Sequence, residues 1–96
     1  MEAKKLSPEE LQQQLPSLVG WELRSGKLHR EFIFKNFVEA FGFMTQMALL
    51  SEKRNHHPEW QNVYNKVHVD LVTHSAGGIT SLDIEWAKAA HEAFEK

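Results

Sequence analysis

Two periodicities run along this chain, and the places where one gives way to the other mark out seven elements. Ser7-Pro8-Glu9-Glu10 carries a helix-start pattern: Ser7 can cap the free amides, Pro8 suits the first helical position, and Glu10 can reach back to complete a capping box. Leu11, Leu15 and Leu18 offer a narrow apolar stripe and Pro16 halts the segment near Leu15, which predicts a short covering helix. Residues 21–24 and 28–34 are short runs separated by the turn-forming pair Ser25-Gly26, and a hairpin is expected there. In the second run Leu28, Arg30 and Phe32 alternate with His29, Glu31 and Ile33, so the pattern leaves the inward face open.

Asn36 with Glu39 repeats the capping pattern and opens the main helix, expected to run to about Arg54. Phe37, Ala40, Phe41, Met44, Met47 and Ala48 recur at helical spacing and predict its core face, while Phe43 and Leu50 widen the apolar surface toward another subunit. Residues 61–64 and 67–73 flank Asn65-Lys66, and Asn65 tolerates the positive φ of a tight turn. Val67, Val69 and Leu71 alternate with His68, Asp70 and Val72, so the polar face should look away from the helices. Thr80 caps a last helix with Asp83 three residues along, and Ile84, Ala87, Ala90 and Phe94 form its buried stripe. The order α-β-β-α-β-β-α with short connections predicts an α+β fold, a four-stranded antiparallel sheet covered on one face by helices.

Composition narrows the picture without changing it. Ninety-six residues, 42% apolar and 25% charged, make one domain over 1–96, too short for two independent cores. Eleven basic against thirteen acidic side chains give a net charge of −2 with no basic run, so charge does not suggest nucleic acid. No cysteine is present, which rules out disulfides and is compatible with a reducing compartment. Met1 to Lys5 has no apolar signal-peptide core, and residues 37–50, interrupted by Glu39, Thr45 and Gln46, fall short of the ~20 needed to span a bilayer. A cytoplasmic location is therefore expected, with the nucleus as a second compartment for the binding role described below.

The chemistry concentrates between Glu52 and Asp83, where Glu52, His56, His57, Pro58, Tyr64, His74 and Asp83 fall. Pro58 biases His57 away from helical dihedrals, so the histidine pair lies on the loop that ends the main helix. Histidine titrates at roughly 6.5 when unperturbed and can both give and take a proton near neutrality. Three of them in one pocket suit a reaction whose difficulty is proton movement.

The order Glu-x3-His-His-Pro, then Tyr64, then His74 and Asp83, resembles the signature of the pterin-4a-carbinolamine dehydratases. Ala40 to Thr45, Pro58-Glu59-Trp60 and Asn62 to His68 resemble the same family, so the likeness covers about half the chain. It implies that the substrate is a 4a-hydroxytetrahydropterin formed by aromatic amino acid hydroxylases, converted to quinonoid dihydropterin and water with no added cofactor or metal, since the pterin is the substrate. Carried over residue by residue, His56 and His74 are the proton-transfer pair, and His57 holds and polarises the pterin. Pro58, Trp60, Thr73, Ser75 and Ala76 join the histidines in contacting it, and Asp83 orients a histidine. Glu52, four residues before His56, is placed to orient that ring from the helix end. The resemblance further implies a homodimer joined through sheet edges or a homotetramer through long helices. For some animal members it implies a second role, stabilising the dimer of a homeodomain transcription factor.

Each assignment has a plainer rival. His29, His68 and His91 read as surface or satisfied side chains, and Tyr64 as a packing residue. Asp83 is also what any helix favours in its first turn, and Lys53-Arg54 suits the negative end of a helix dipole. Trp60 either covers a bound ring or fills core. Glu52, His56 and His74 could instead hold a hydrolytic zinc with one open position, but adjacent His56 and His57 on a loop cannot both turn easily toward one ion.

Overall fold

The computed structural model describes residues 3–96; Met1 and Glu2, part of the polar opening noted above, lie outside them. Helix α1 (Pro8–Gln14) starts with the full capping box between Ser7 and Glu10, and Pro16 sits inside a single 3-10 turn, Leu15–Ser17, that ends the segment. Strands β1 (Glu22–Arg24) and β2 (Lys27–Ile33) follow. Ser25 and Gly26 both take positive φ, 52° and 78°, the backbone of the two-residue turn that matches strand twist. Helix α2 (Phe37–Arg54), strands β3 (Glu59–Val63) and β4 (Lys66–Leu71), and helix α3 (Ser81–Glu95) complete the chain.

The strands form one antiparallel sheet in the order β1-β2-β4-β3. Leu28, Phe32, Val67, Val69 and Leu71 are buried on one face, against Ala40, Phe43 and Met47 of α2 and Ile84, Trp86, Ala87 and Ala90 of α3. Phe32 stands at the centre of an aromatic group, 4.7 Å from Phe43 and 5.3 Å from Phe94 between ring centres. The open question of β2 is resolved by a buried cation: Arg30 shares the inward face with Leu28 and Phe32. Its guanidinium donates to the Val19 carbonyl at 2.7 Å and lies 4.2 Å from the Phe32 ring centre, so burial, which lowers its pKa, is offset by a hydrogen bond and a π-face.

Three expectations need correction. The core face of α2 is Ala40, Phe43, Met47 and Ser51, whereas Phe37, Phe41 and Ala48 are exposed. Two apolar stripes run side by side on this helix, and periodicity alone does not say which one meets the sheet. Second, the positive φ of the β3-β4 turn falls on Tyr64, at 51°, rather than on Asn65, because Val63 pairs with Lys66 and the loop is Tyr64-Asn65. The Asn65 amide instead donates to the Phe34 carbonyl at 2.9 Å, pinning the turn to the end of β2. Third, β3 begins at Glu59 and β4 ends at Leu71, so His74 stands beyond the strand on its own 3-10 turn, His74–Ala76.

Candidate active site

The end of α2 decides where the first two histidines point. Asn55 adopts left-handed dihedrals, φ 50° and ψ 44°. Its N–H reaches the Glu52 carbonyl at 3.2 Å and the His56 N–H reaches the Ser51 carbonyl at 3.0 Å, the paired closure of a Schellman motif. The chain reverses there. His56 turns inward and is buried, His57 is left outside, and Pro58, following a trans bond, leads into β3.

His56 meets Asp83, with Nε2 2.6 Å from Oδ1. Asp83 is fully buried in the first turn of α3 and is part of that helix's capping box: its Oδ2 accepts the Thr80 N–H at 2.9 Å and the Thr73 hydroxyl at 2.8 Å. Because Thr73 spends its one hydroxyl proton on Asp83, the 2.8 Å contact between Thr73 and Thr80 has Thr80 as donor. The carboxylate thus faces donors only, and the His56 Nε2 must carry a proton to complete the set. Thr73, expected to touch a ligand, has its hydroxyl committed inside this network.

Glu52 does not serve His56. The helix-ending turn brings it to His57 instead, with Nε2 2.5 Å from Glu52 Oε2, both side chains open to solvent. His74 is more exposed still, and its Nε2 lies 2.8 Å from Glu59 Oε2. The other Glu59 oxygen receives the Lys27 ammonium at 2.5 Å. Lys27 first and His74 second hold the Glu59 carboxyl below its ordinary range, and the same contact raises Lys27.

These contacts string the three histidines along one end of the sheet: Thr73 touches the carboxylate that holds His56, His74 follows Thr73, and Glu59 stands two residues after His57. All three rings share one arrangement, Nε2 against a carboxylate and Nδ1 with no protein partner among the described residues. Each can therefore act as a base through Nδ1 when neutral. Trp60 is half-buried with its ring 6.1 Å from that of Trp86, whose indole N–H donates to Ser51 at 2.9 Å. Pro58 and Ala76 are half-buried and Ser75 exposed on the flanking loops. A shallow depression of about 460 Å³ on the outer face of the sheet adjoins Glu59 and Trp60, lined also by His29, Gln61, His68 and Asp70. Glu52, His56 and His74 each meet a different partner, and no group of three metal-ligating side chains converges among the described residues.

Sequence reasoning missed Glu59, Asn55, Thr80 as hydroxyl donor, and the Ser51–Trp86 pair. Only Asn55 left a readable signal, an asparagine just past the last helical turn. His29 and His68, read as satisfied, pair with Asp70 at 2.9 Å and Glu31 at 3.2 Å, and His91 lies 3.0 Å from Arg30.

The structure is thus an α+β sheet with one face under helices and three imidazole–carboxylate pairs at one end, groups able to give and take protons near neutrality. The chain belongs to the pterin 4 alpha carbinolamine dehydratase family, whose profile matches residues 4–93, and is an enzyme of that family, a hydro-lyase. It is 53% identical over 91 residues to a protein of Prochlorococcus marinus strain MIT 9515 provisionally named pterin-4-alpha-carbinolamine dehydratase, covering 95% of each chain. A protein of Rhizobium rhizogenes strain K84 with the same provisional name is 50% identical, over 97% of this chain and 94% of its own. The crystal structure of a transcriptional coactivator/pterin dehydratase from Brucella melitensis superposes with a TM-score of 0.90 at 46% identity, covering 94% of this chain and 98% of that one. No helix among the described residues is long and apolar enough to cross a membrane.

Proposed function

We propose that the reaction is loss of water from a 4a-hydroxytetrahydropterin, with His56 and His74 as the proton-transfer pair. The observation that carries this reading is the shared arrangement of the three rings, Nε2 on a carboxylate and Nδ1 free. In the forward direction one imidazolium gives its proton to the departing hydroxyl as the C4a–O bond breaks. The other imidazole, neutral, takes the proton from N5 as the C4a=N5 double bond forms. The products are water and quinonoid dihydropterin, and the two imidazoles end with exchanged protonation states. Positioned acid-base help of this kind supplies about 10²–10⁴ in rate, or ~3–5 kcal/mol of barrier.

His57, exposed and paired with Glu52, is assigned to holding and polarising the pterin, with Pro58, Trp60, Ser75 and Ala76 as contacts and Asp83 as the residue that orients His56. The reaction as written needs no cofactor or metal. Phe37, Val38, Phe41 and Leu49 are exposed on α2, which supports association with a second copy as homodimer or homotetramer. The alternative occupant of that surface is a transcription factor, a reading supported by the name transcriptional coactivator that the Brucella protein carries. A cytoplasmic location accords with this reaction.

The test is direct. Generate the carbinolamine enzymatically and follow its loss by absorbance for wild type, His56→Ala, His57→Ala and His74→Ala. The His56→Ala/His74→Ala double variant is expected to lose about 10²–10⁴ in rate with its fold intact. An unchanged rate in the folded double variant would refute the assignment.

A further inference from the structure

His74 is the least enclosed of the three imidazoles, with 76% of its side chain exposed, and it stands on a single 3-10 turn that contains no buried residue. A ring so placed samples several rotamers unless something holds it. What holds it is Glu59, whose backbone is fixed by its register against Asp70 at the first residue of β3. The second Glu59 oxygen is anchored in turn by Lys27 of β2. Leu28 pairs with Leu71 and Glu59 with Asp70, so Lys27 reaches across the end of β4 to the far edge strand.

Other charged or titratable groups on this face are Asp70 and His29, Arg24 and Glu22 beside His29, and the Glu31–His68 pair further along the sheet. Asp70 stands directly opposite Glu59, a pairing of like charges that weakens a sheet unless a cation lies between. Asp70 is occupied by His29 at 2.9 Å, and Lys27 supplies the cation on the Glu59 side. Resting on the dehydratase reading above, we propose that Glu59 and Lys27 are positioning residues of the reaction: Glu59 holds His74 as the Nε2–H tautomer with Nδ1 turned to the substrate, and Lys27 keeps Glu59 ionised and in place. The lowered Glu59 and raised Lys27 pKa values agree with this geometry, and their sign predicts a consequence. Glu59 loses its charge only when the pH falls through its depressed pKa, so removing Lys27 moves that loss to higher pH.

Two readouts on the full chain test this, one without turnover. Ring ¹⁵N spectra of wild type should show His74 as the Nε2–H tautomer, and Glu59→Gln should show a mixture, because a neutral amide can donate as well as accept. In the carbinolamine assay Glu59→Gln should lower kcat about tenfold with KM within about twofold, the pattern of a misdirected proton donor or acceptor. Lys27→Met should shift the acid limb of the kcat profile to higher pH. Glu31→Gln, which removes the partner of His68 on the same sheet face, should change neither readout. An unmixed tautomer and an unchanged kcat in Glu59→Gln, beside lost activity in His74→Ala, would overturn the positioning role and leave the dehydratase reading standing. A wild type inactive on the carbinolamine would sink that reading, while the ¹⁵N spectra would still decide whether Glu59 holds the ring.

Discussion

His56 and His74 each press Nε2 against a carboxylate at nearly equal distance, 2.6 and 2.8 Å, yet the two pairs are built in opposite ways. Asp83 has no exposed surface and its partners are a capping amide, a threonine hydroxyl and the His56 ring, so the pair is part of the framework that starts α3. Glu59 lies on an edge strand, partly open to solvent, and its second partner is the Lys27 ammonium reaching across from β2. The difference separates two jobs. A buried pair fixes a ring's direction at the cost of desolvation, while an exposed one can release and recapture its ring.

The sharpest way to break this comparison is at Asp83. Asp83→Ala would leave the Thr80 amide, the Thr73 hydroxyl and the His56 ring nitrogen buried without an acceptor, and stability should fall by about 3–5 kcal/mol. Urea unfolding followed by tryptophan fluorescence measures it. Asp83→Asn keeps the shape and can still accept, so it should cost less stability while lowering kcat about a hundredfold through the wrong His56 tautomer. A change at Asp83 below ~1 kcal/mol would mean the buried pair is no framework at all.

The two pairs also differ in how far the chain's pattern announced them. Thr80 and Asp83 at cap spacing predicted the start of α3, and the capping box is there, because local hydrogen bonding needs only neighbours in sequence. That Asp83 also reaches His56, 27 residues earlier, depends on the left-handed turn at Asn55, and the likeness to a known signature rather than periodicity pointed to it. Glu52 went to the other histidine for the same reason: one left-handed residue reverses the chain and exchanges which ring faces in. Glu59 was invisible, since a carboxylate that opens a strand looks like any solvated edge residue until the partner from β2 is known. The two hairpins were readable from alternation and turn residues, whereas the strand order and the choice between two apolar stripes on α2 needed the sheet itself.

A smaller effect separates support from chemistry within the buried half. Ser51 donates to the Met47 carbonyl at 2.7 Å and accepts the Trp86 indole N–H at 2.9 Å, on the last turns of the helix that delivers His56. Ser51→Ala should strand that buried N–H and reduce stability by about 1–2 kcal/mol. Because the Ser51 carbonyl still takes the His56 amide, kcat and its pH profile should stay within about twofold. A larger fall in kcat would extend the positioning framework from Asp83 into α2.

The smallest effect is expected where both partners are most exposed, at Glu52 and His57, with side chains 78% and 53% open. Their 2.5 Å contact has the same ring geometry as the other two pairs, so geometry alone would give it equal weight. Exposure argues otherwise: water replaces a lost carboxylate partner at an open site, and such pairs contribute about 1 kcal/mol at most. Glu52→Gln should therefore leave stability within ~0.5 kcal/mol and kcat within about threefold, with any loss falling on KM if His57 holds the pterin. Salt sharpens the reading, because raising it should erase the Glu52→Gln difference while leaving that of Asp83→Asn intact. If Glu52→Gln instead lowered kcat as far as Asp83→Asn does, burial would not be what divides framework from adjustable partner, and His57 would belong with His56 and His74 in moving protons.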